Sequence, residues 1–99
     1  MVEKSPPGIV AFLDYKSARD SVTFAEVIAY NDLLSKAPVF LVIGDDPDSG
    51  AFEIRQYISG NWRPFPPDVT TVHVARCADW AEYSQWEDAL RRRYRLTHG

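Results

Sequence analysis

Two nearly continuous apolar runs constrain the fold of this chain more than any other feature. The first run covers residues 9–15, follows a Pro-Pro-Gly breaker and predicts a strand over residues 9–16, and the second run covers residues 38–44. Runs of this length with Gly or Pro at a boundary indicate strands that are buried on both faces. The segment between the two runs has apolar residues at helical spacing. The sequence therefore predicts a β-α-β unit with two parallel strands and a right-handed crossover.

The helix of this unit has a recognisable start and end. Thr23 and Glu26 form a T-x-x-E pattern, in which each side chain bonds the backbone N–H of the other residue. Pro38 disfavours helical backbone in the residue before it. These signals predict a helix over residues 23–36.

The second half of the chain predicts strands and one further helix. Residues 51–58 alternate apolar and polar side chains, which indicates a half-exposed strand in a hairpin with the strand before it. Residues 59–68 contain three prolines within four positions and are expected to be irregular. Residues 69–76 are a possible edge strand, and residues 79–94 carry an apolar stripe at spacings of three and four.

These elements predict one α/β domain over residues 1–99, with a three- or four-stranded mixed sheet and two helices. Residues 1–7 are interpreted as a polar leader. The strand over residues 9–16 is apolar on both sides, yet few predicted elements remain to cover it. We therefore expect an exposed apolar face or edge, a homodimer, or a missing N-terminal segment that covers this strand.

Composition excludes several classes of protein. The chain has 99 residues, of which 45% are hydrophobic and 25% charged, which is typical of a globular domain rather than a disordered chain. Cys77 is the single cysteine, so neither an internal disulfide nor a multi-cysteine metal site can form. No apolar stretch is long enough to form the core of a signal peptide or to span a membrane. We expect a cytoplasmic protein without a membrane partner.

Residues that could carry chemistry follow the first strand. Asp14 and Lys16 end the strand "LDYKS" on one side, and Glu26 and Tyr30 share a face of the helix in "EVIAY". Over residues 8–58 this pattern resembles the RecB-like branch of the PD-(D/E)XK nuclease superfamily. Members of that branch carry D-Y-K-[TS] on a strand and Q-x-x-x-Y on the next helix. Here Glu26 stands in place of the glutamine.

The resemblance implies Mg²⁺-dependent hydrolysis of phosphodiester bonds in DNA. Asp14 and the carbonyl of Tyr15 would hold the metal, which lowers the pKa of an attacking water. Lys16 would stabilise negative charge near the scissile phosphate. Glu26 and Tyr30 would line the site from the helix.

One part of the family pattern is missing. Family members place another acid on a strand before the D-x-K strand, whereas Glu3 is the one acid ahead of Gly8. Three explanations follow from the sequence. The chain is a fragment, or its metal site is incomplete and it is not a nuclease, or another chain supplies the acid.

Each of these residues also has a purely structural interpretation. Asp14 and Lys16 could form a solvent-exposed charge pair of little energetic value. Glu26 could serve only as a cap, and Tyr30 could be a core residue with its hydroxyl at the rim.

Four arginines near the C-terminus leave two alternatives open. They could complement the negative end of the helix dipole, or they could bind phosphates. The residues are Arg91, Arg92, Arg93 and Arg95. The leading functional expectation is a truncated or divergent nuclease-like domain that acts on DNA. The alternatives are a non-catalytic α/β interaction module and a metal-independent nucleic-acid-binding remnant.

Overall fold

A computed structural model of the chain describes residues 2–5, 8–46 and 48–98, and it describes no side chain at residues 3–5, 8–9 and 95–98. The described elements follow the order β-β-α-β-β-β-α. Their bounds are β1 Val2–Ser5, β2 Gly8–Lys16, α1 Phe24–Leu33, β3 Val39–Ile43, β4 Phe52–Asn61, β5 Asp68–Cys77 and α2 Trp80–His98.

The five strands form one mixed sheet in the order β1-β2-β3-β4-β5. β2 and β3 are parallel, with Asp14 opposite Leu41, and the other neighbouring pairs are antiparallel. The α/β class, the β-α-β unit and the β3–β4 hairpin are therefore confirmed, and β5 is an edge strand as expected. The sheet has one strand more than the three or four predicted.

The additional strand is β1, so the interpretation of residues 1–7 as a polar leader is wrong for Val2–Ser5. β1 pairs antiparallel with β2 and places Val2 opposite Phe12. Its four residues have no sequence pattern that predicts a strand. They form one because the neighbouring strand supplies their pairing. β1 pairs with residues 8–12 of β2 on one edge, and β3 pairs with residues 12–16 on the other edge.

Helix α1 begins as its sequence indicates. Thr23 is the N-cap, its Oγ1 accepts a bond of 3.2 Å from the Glu26 N–H, and Glu26 Oε1 accepts a bond of 3.0 Å from the Thr23 N–H. The helix ends at Leu33, ahead of the predicted end at Lys36, because residues 34–36 form turns.

The two helices lie on opposite faces of the sheet. Tyr30 of α1 packs with Val39, Leu41 and Tyr57, whereas Tyr83 of α2 packs with the intervening strand residues, Phe40, Val42, Phe52 and Ile54. Alternate residues of a strand face opposite sides, so the core has two layers. α2 runs to His98 rather than to residue 94, and neither described helix is long and apolar enough to cross a membrane.

The irregular segment between the last two strands is shorter than predicted. β4 continues to Asn61 and β5 begins at Asp68, so the link covers residues 62–67 rather than 59–68. Register shifts interrupt the β4–β5 pairing at two places.

Candidate functional site

The structure brings the four predicted site residues together at the end of β2. Asp14 and Lys16 alternate along β2 and face α1, and Glu26 and Tyr30 lie one turn apart on that helix. Tyr30 contacts Asp14, and Lys16 contacts Glu26. The four side chains form one hydrogen-bonded cluster, which we call the strand–helix cluster.

Lys16 and Glu26 form an ion pair within this cluster. Lys16 Nζ lies 2.5 Å from Glu26 Oε2, and the two side chains are 9% and 29% exposed. The pair is thus more buried than the solvent-exposed pairs that contribute little to stability.

The Glu26 carboxylate is fully engaged. Its Oε1 accepts hydrogen bonds from the backbone N–H and the hydroxyl of Thr23, and its Oε2 contacts Lys16 and, at 3.2 Å, the Tyr30 hydroxyl. Burial raises the pKa of Glu26, but the hydrogen bonds from Lys16 and Thr23 outweigh this effect and hold the pKa below its ordinary value of 4.5. Glu26 therefore caps the helix and neutralises Lys16 at the same time.

Tyr30 connects the two carboxylates of the cluster. Its hydroxyl donates a hydrogen bond to Asp14 Oδ2 and also lies near Glu26 Oε2. Burial and then the neighbouring Asp14 raise the pKa of Tyr30 far above its ordinary value of 10.0. The hydroxyl therefore stays protonated and acts as a donor rather than as a base.

These residues do not by themselves suit a magnesium ion. Mg²⁺ requires near-octahedral oxygen ligation, and the oxygens of Glu26 are already engaged. Asp14 keeps one carboxylate oxygen clear of the cluster's hydrogen bonds. The predicted metal ligand at Tyr15 is its backbone carbonyl, whereas its side chain faces α2, where the hydroxyl lies 2.6 Å from that of Tyr83. Among the side chains that the structure describes, no group of three or more His, Cys, Asp or Glu could hold a metal.

β1 precedes the D-x-K strand and pairs with it, but its described part stops before the site. Glu3 pairs opposite Ala11 and Val2 opposite Phe12, so the pairing with β1 ends two residues before Asp14. The side chain of Glu3 lies outside the described residues. β1 thus places no described carboxylate beside Asp14.

The arginines predicted to bind nucleic acid lie away from this cluster. They belong to α2, which packs on the opposite face of the sheet. Arg91 contacts Glu87 and Asp88 at 3.1 Å each. Arg92 Nε lies 3.4 Å from the Asp88 carbonyl, and the Arg95 side chain is outside the described residues. The structure therefore does not bring the arginines to the strand–helix cluster.

An apolar cleft beside the cluster was not predicted from the sequence. It has a volume of about 300 Å³, and Asp14 and Tyr30 form its polar part. The apolar lining comes from three strands and the helix, namely Val2, Phe12, Leu13, Leu33 and Val39. Its formation depends on β1, which the sequence pattern did not reveal. We call this feature the Asp14 cleft.

A second and larger pocket lies at the end of β3, with a volume of about 540 Å³. Its lining mixes the charges of Asp45, Glu53, Glu82 and Arg76 with the thiol of Cys77. Burial, and then the charge of Glu82, raise the pKa of this thiol above its ordinary value of 9.0, so it is a weak nucleophile at neutral pH.

Comparison with known proteins identified no relative. A scan against protein-family models gave no match, and searches of curated proteins and of solved structures gave none either.

Proposed function

We propose that this chain is a binding domain built on a nuclease-like β-α-β arrangement and that it does not hydrolyse DNA on its own. The observation that carries the proposal is the engagement of Lys16 and Glu26 with each other. A catalytic lysine has to meet developing negative charge on a phosphate, whereas this lysine already meets a carboxylate.

The charge of the strand–helix cluster supports the same proposal. Two carboxylates and one ammonium group, those of Asp14, Glu26 and Lys16, give it a formal charge of −1 near neutral pH. Binding of a nucleic-acid backbone is favoured by an excess of positive charge or by a bound metal, and the cluster's own residues carry no excess of positive charge. The polar network instead fixes α1 against the end of β2.

A second candidate is a divergent PD-(D/E)XK domain whose further acidic ligand comes from another segment or chain. The observation that favours it is the meeting of all four motif residues, from β2 and α1, in one cluster. If such a ligand were supplied, Asp14 would be the metal-binding carboxylate of this chain.

A cleavage assay separates the two candidates. Supercoiled plasmid and single-stranded DNA are incubated with the chain and with Lys16→Ala, in Mg²⁺ and in Mn²⁺. We expect no cleavage by either protein. Metal-dependent cleavage that is lost in Lys16→Ala would contradict the proposal and establish the nuclease. Equal cleavage by both proteins would exclude the D-x-K lysine as its source and so count against the nuclease candidate.

A further inference from the structure

The Asp14 cleft has the composition of a small-molecule site. Such sites are mainly apolar and contain a few polar groups that fix the orientation of the ligand. Val2, Phe12, Leu33 and Val39 form apolar walls, and Asp14 and Tyr30 converge as its polar groups. A volume of about 300 Å³ lies at the small end of the usual range for ligand pockets, so one ring or a short alkyl chain fits.

The charge at the cleft selects the kind of ligand. Asp14 accepts a hydrogen bond from Tyr30, which is neutral, while the ammonium group of Lys16 is bound to Glu26. Among the described residues, Asp14 has no cationic partner within ion-pair distance. A carboxylate at the rim of an apolar cleft, in a cluster of formal charge −1, complements an organic cation.

We propose that the Asp14 cleft binds a small organic ammonium ion, with its apolar body between β1 and α1 and its charged nitrogen on Asp14. The ammonium group donates to the Asp14 oxygen that Tyr30 leaves clear. Tyr30 fixes the orientation of the carboxylate by holding the other oxygen. The proposal names a ligand class for the binding domain inferred above.

The same features disfavour the polyanionic substrate of a nuclease at this position. Among the lining residues whose side chains the structure describes, none is Lys, Arg or His. A phosphate placed there would meet the Asp14 carboxylate, while Lys16, the cation of the neighbouring cluster, is already paired with Glu26.

A charge series of ligands tests the proposal on the intact chain. Phenethylammonium, 2-phenylethanol and 3-phenylpropionate share a ring and differ mainly in charge, and each is titrated into ¹⁵N-labelled protein. We expect shifts at residues around the cleft and about tenfold tighter binding of the ammonium ion than of the alcohol, the gain typical of a hydrogen bond to a charged group. The carboxylate should bind most weakly. Equal affinities for ammonium ion and alcohol, or shifts confined to other residues, would overturn the proposal.

Two matched variants locate the charge effect. Asp14→Asn keeps the size of the side chain and an oxygen that Tyr30 can donate to, and it should lower ammonium affinity about tenfold and alcohol affinity by clearly less. Asp68→Asn removes the same charge from an exposed position at the start of β5 and should change neither affinity. Equal losses in both variants would mean that net charge alone attracts the ligand and would contradict the site.

Failure of this proposal and failure of the proposed function give different results. Metal-dependent DNA cleavage that requires Lys16 would refute the binding domain whatever the ammonium titration shows. Absence of both cleavage and ammonium binding would refute the ligand class and leave the non-catalytic domain standing.

Discussion

Lys16 Nζ lies 2.5 Å from Glu26 Oε2, so the lysine of the strand motif and the acid of the helix motif neutralise each other. Glu26 also caps α1 through Thr23. The pair therefore links the end of β2 to the first turn of the helix. For Lys16 to assist chemistry on a phosphate, this pair would have to open.

The two members of the pair should contribute unequally to stability. Lys16 is more buried than Glu26, at 9% against 29% side-chain exposure. Glu26→Gln keeps the capping hydrogen bonds but leaves the buried ammonium without a counter-ion, so we expect a loss of about 2 kcal/mol in the free energy of unfolding. Lys16→Met removes the charge and leaves Glu26 with Thr23 and Tyr30, and it should cost about 1 kcal/mol. Urea unfolding of the two variants measures this difference.

Asp88→Asn provides the surface control, because Asp88 is 66% exposed in its pair with Arg91. The Asp88→Asn variant should lose less than about 0.5 kcal/mol in the free energy of unfolding. A larger loss for Lys16→Met than for Glu26→Gln would contradict the burial argument.

Stability should fall in acid, and Glu26 should account for part of the fall. Its pKa is lower in the folded chain than its ordinary value of 4.5, because the bonds from Lys16 and Thr23 outweigh the opposing effect of burial. The folded state then binds fewer protons than the unfolded state in this range. The stabilisation that Glu26 contributes is complete above about pH 4.5. It is lost as the pH falls through the lower pKa that Glu26 has in the folded chain.

Urea unfolding between pH 6 and pH 3 measures this dependence. The stability difference between the natural chain and Glu26→Gln should shrink as the pH decreases. A difference that stays constant over this range would show that Glu26 is not the titrating group. Glu53, whose pKa is lowered by His73 and Arg55, should contribute a further loss that remains in the variant.

Removal of the Tyr30 hydroxyl should destabilise the chain more than removal of a matched hydroxyl. Tyr30 donates to the carboxylate of Asp14, whereas Tyr57 donates to the amide oxygen of Asn31 at 2.7 Å. Hydrogen bonds to charged groups are the stronger kind. We expect Tyr30→Phe to cost about 2 kcal/mol and Tyr57→Phe about 1 kcal/mol. Thermal or urea unfolding gives both losses in the free energy of unfolding. A larger loss for Tyr57→Phe than for Tyr30→Phe would contradict the argument that the charged acceptor makes the stronger hydrogen bond.

Gly60 should tolerate no side chain. A Cβ at this position would collide with the hydroxyl of Tyr57 and lie 3.0 Å from Cγ1 of Val27. Both residues are fully buried, so neither can move aside easily. Gly60→Ala should cost about 1–3 kcal/mol, whereas Ser59→Ala at the exposed neighbouring position should stay within about 0.5 kcal/mol. Equal unfolding midpoints for the two variants would show that the close contact is absent.

The sequence predicts the elements whose signals are local. Apolar runs with breakers at their ends place β2 and β3, and Thr23 and Glu26 set the start of α1. The spacing within D-x-K and E-x-x-x-Y places each pair of side chains on one face of its own element. That the two pairs would meet is implied by the resemblance to RecB-like nucleases.

The features that the sequence does not predict depend on contacts between distant segments. β1 is a strand because β2 pairs with it, and the Asp14 cleft exists because Val2 and Leu33, which are far apart in the chain, both line it. The bonding inside the strand–helix cluster is equally non-local. The order of residues alone does not reveal that Lys16 bonds Glu26 rather than standing ready for a substrate.

The most direct test of this account is a titration of the ¹⁵N-labelled chain with Mn²⁺, whose unpaired electrons weaken the NMR signals of nearby amides. Asp46 and Asp48 lie in an exposed loop and report weak surface binding. If Lys16 and Glu26 stay paired and the cluster holds no metal ion, the signals of Asp14, Tyr15 and Lys16 will weaken no more than those of this loop. Selective loss of the Asp14 and Tyr15 signals at low Mn²⁺ would show that the cluster binds metal and would contradict the account.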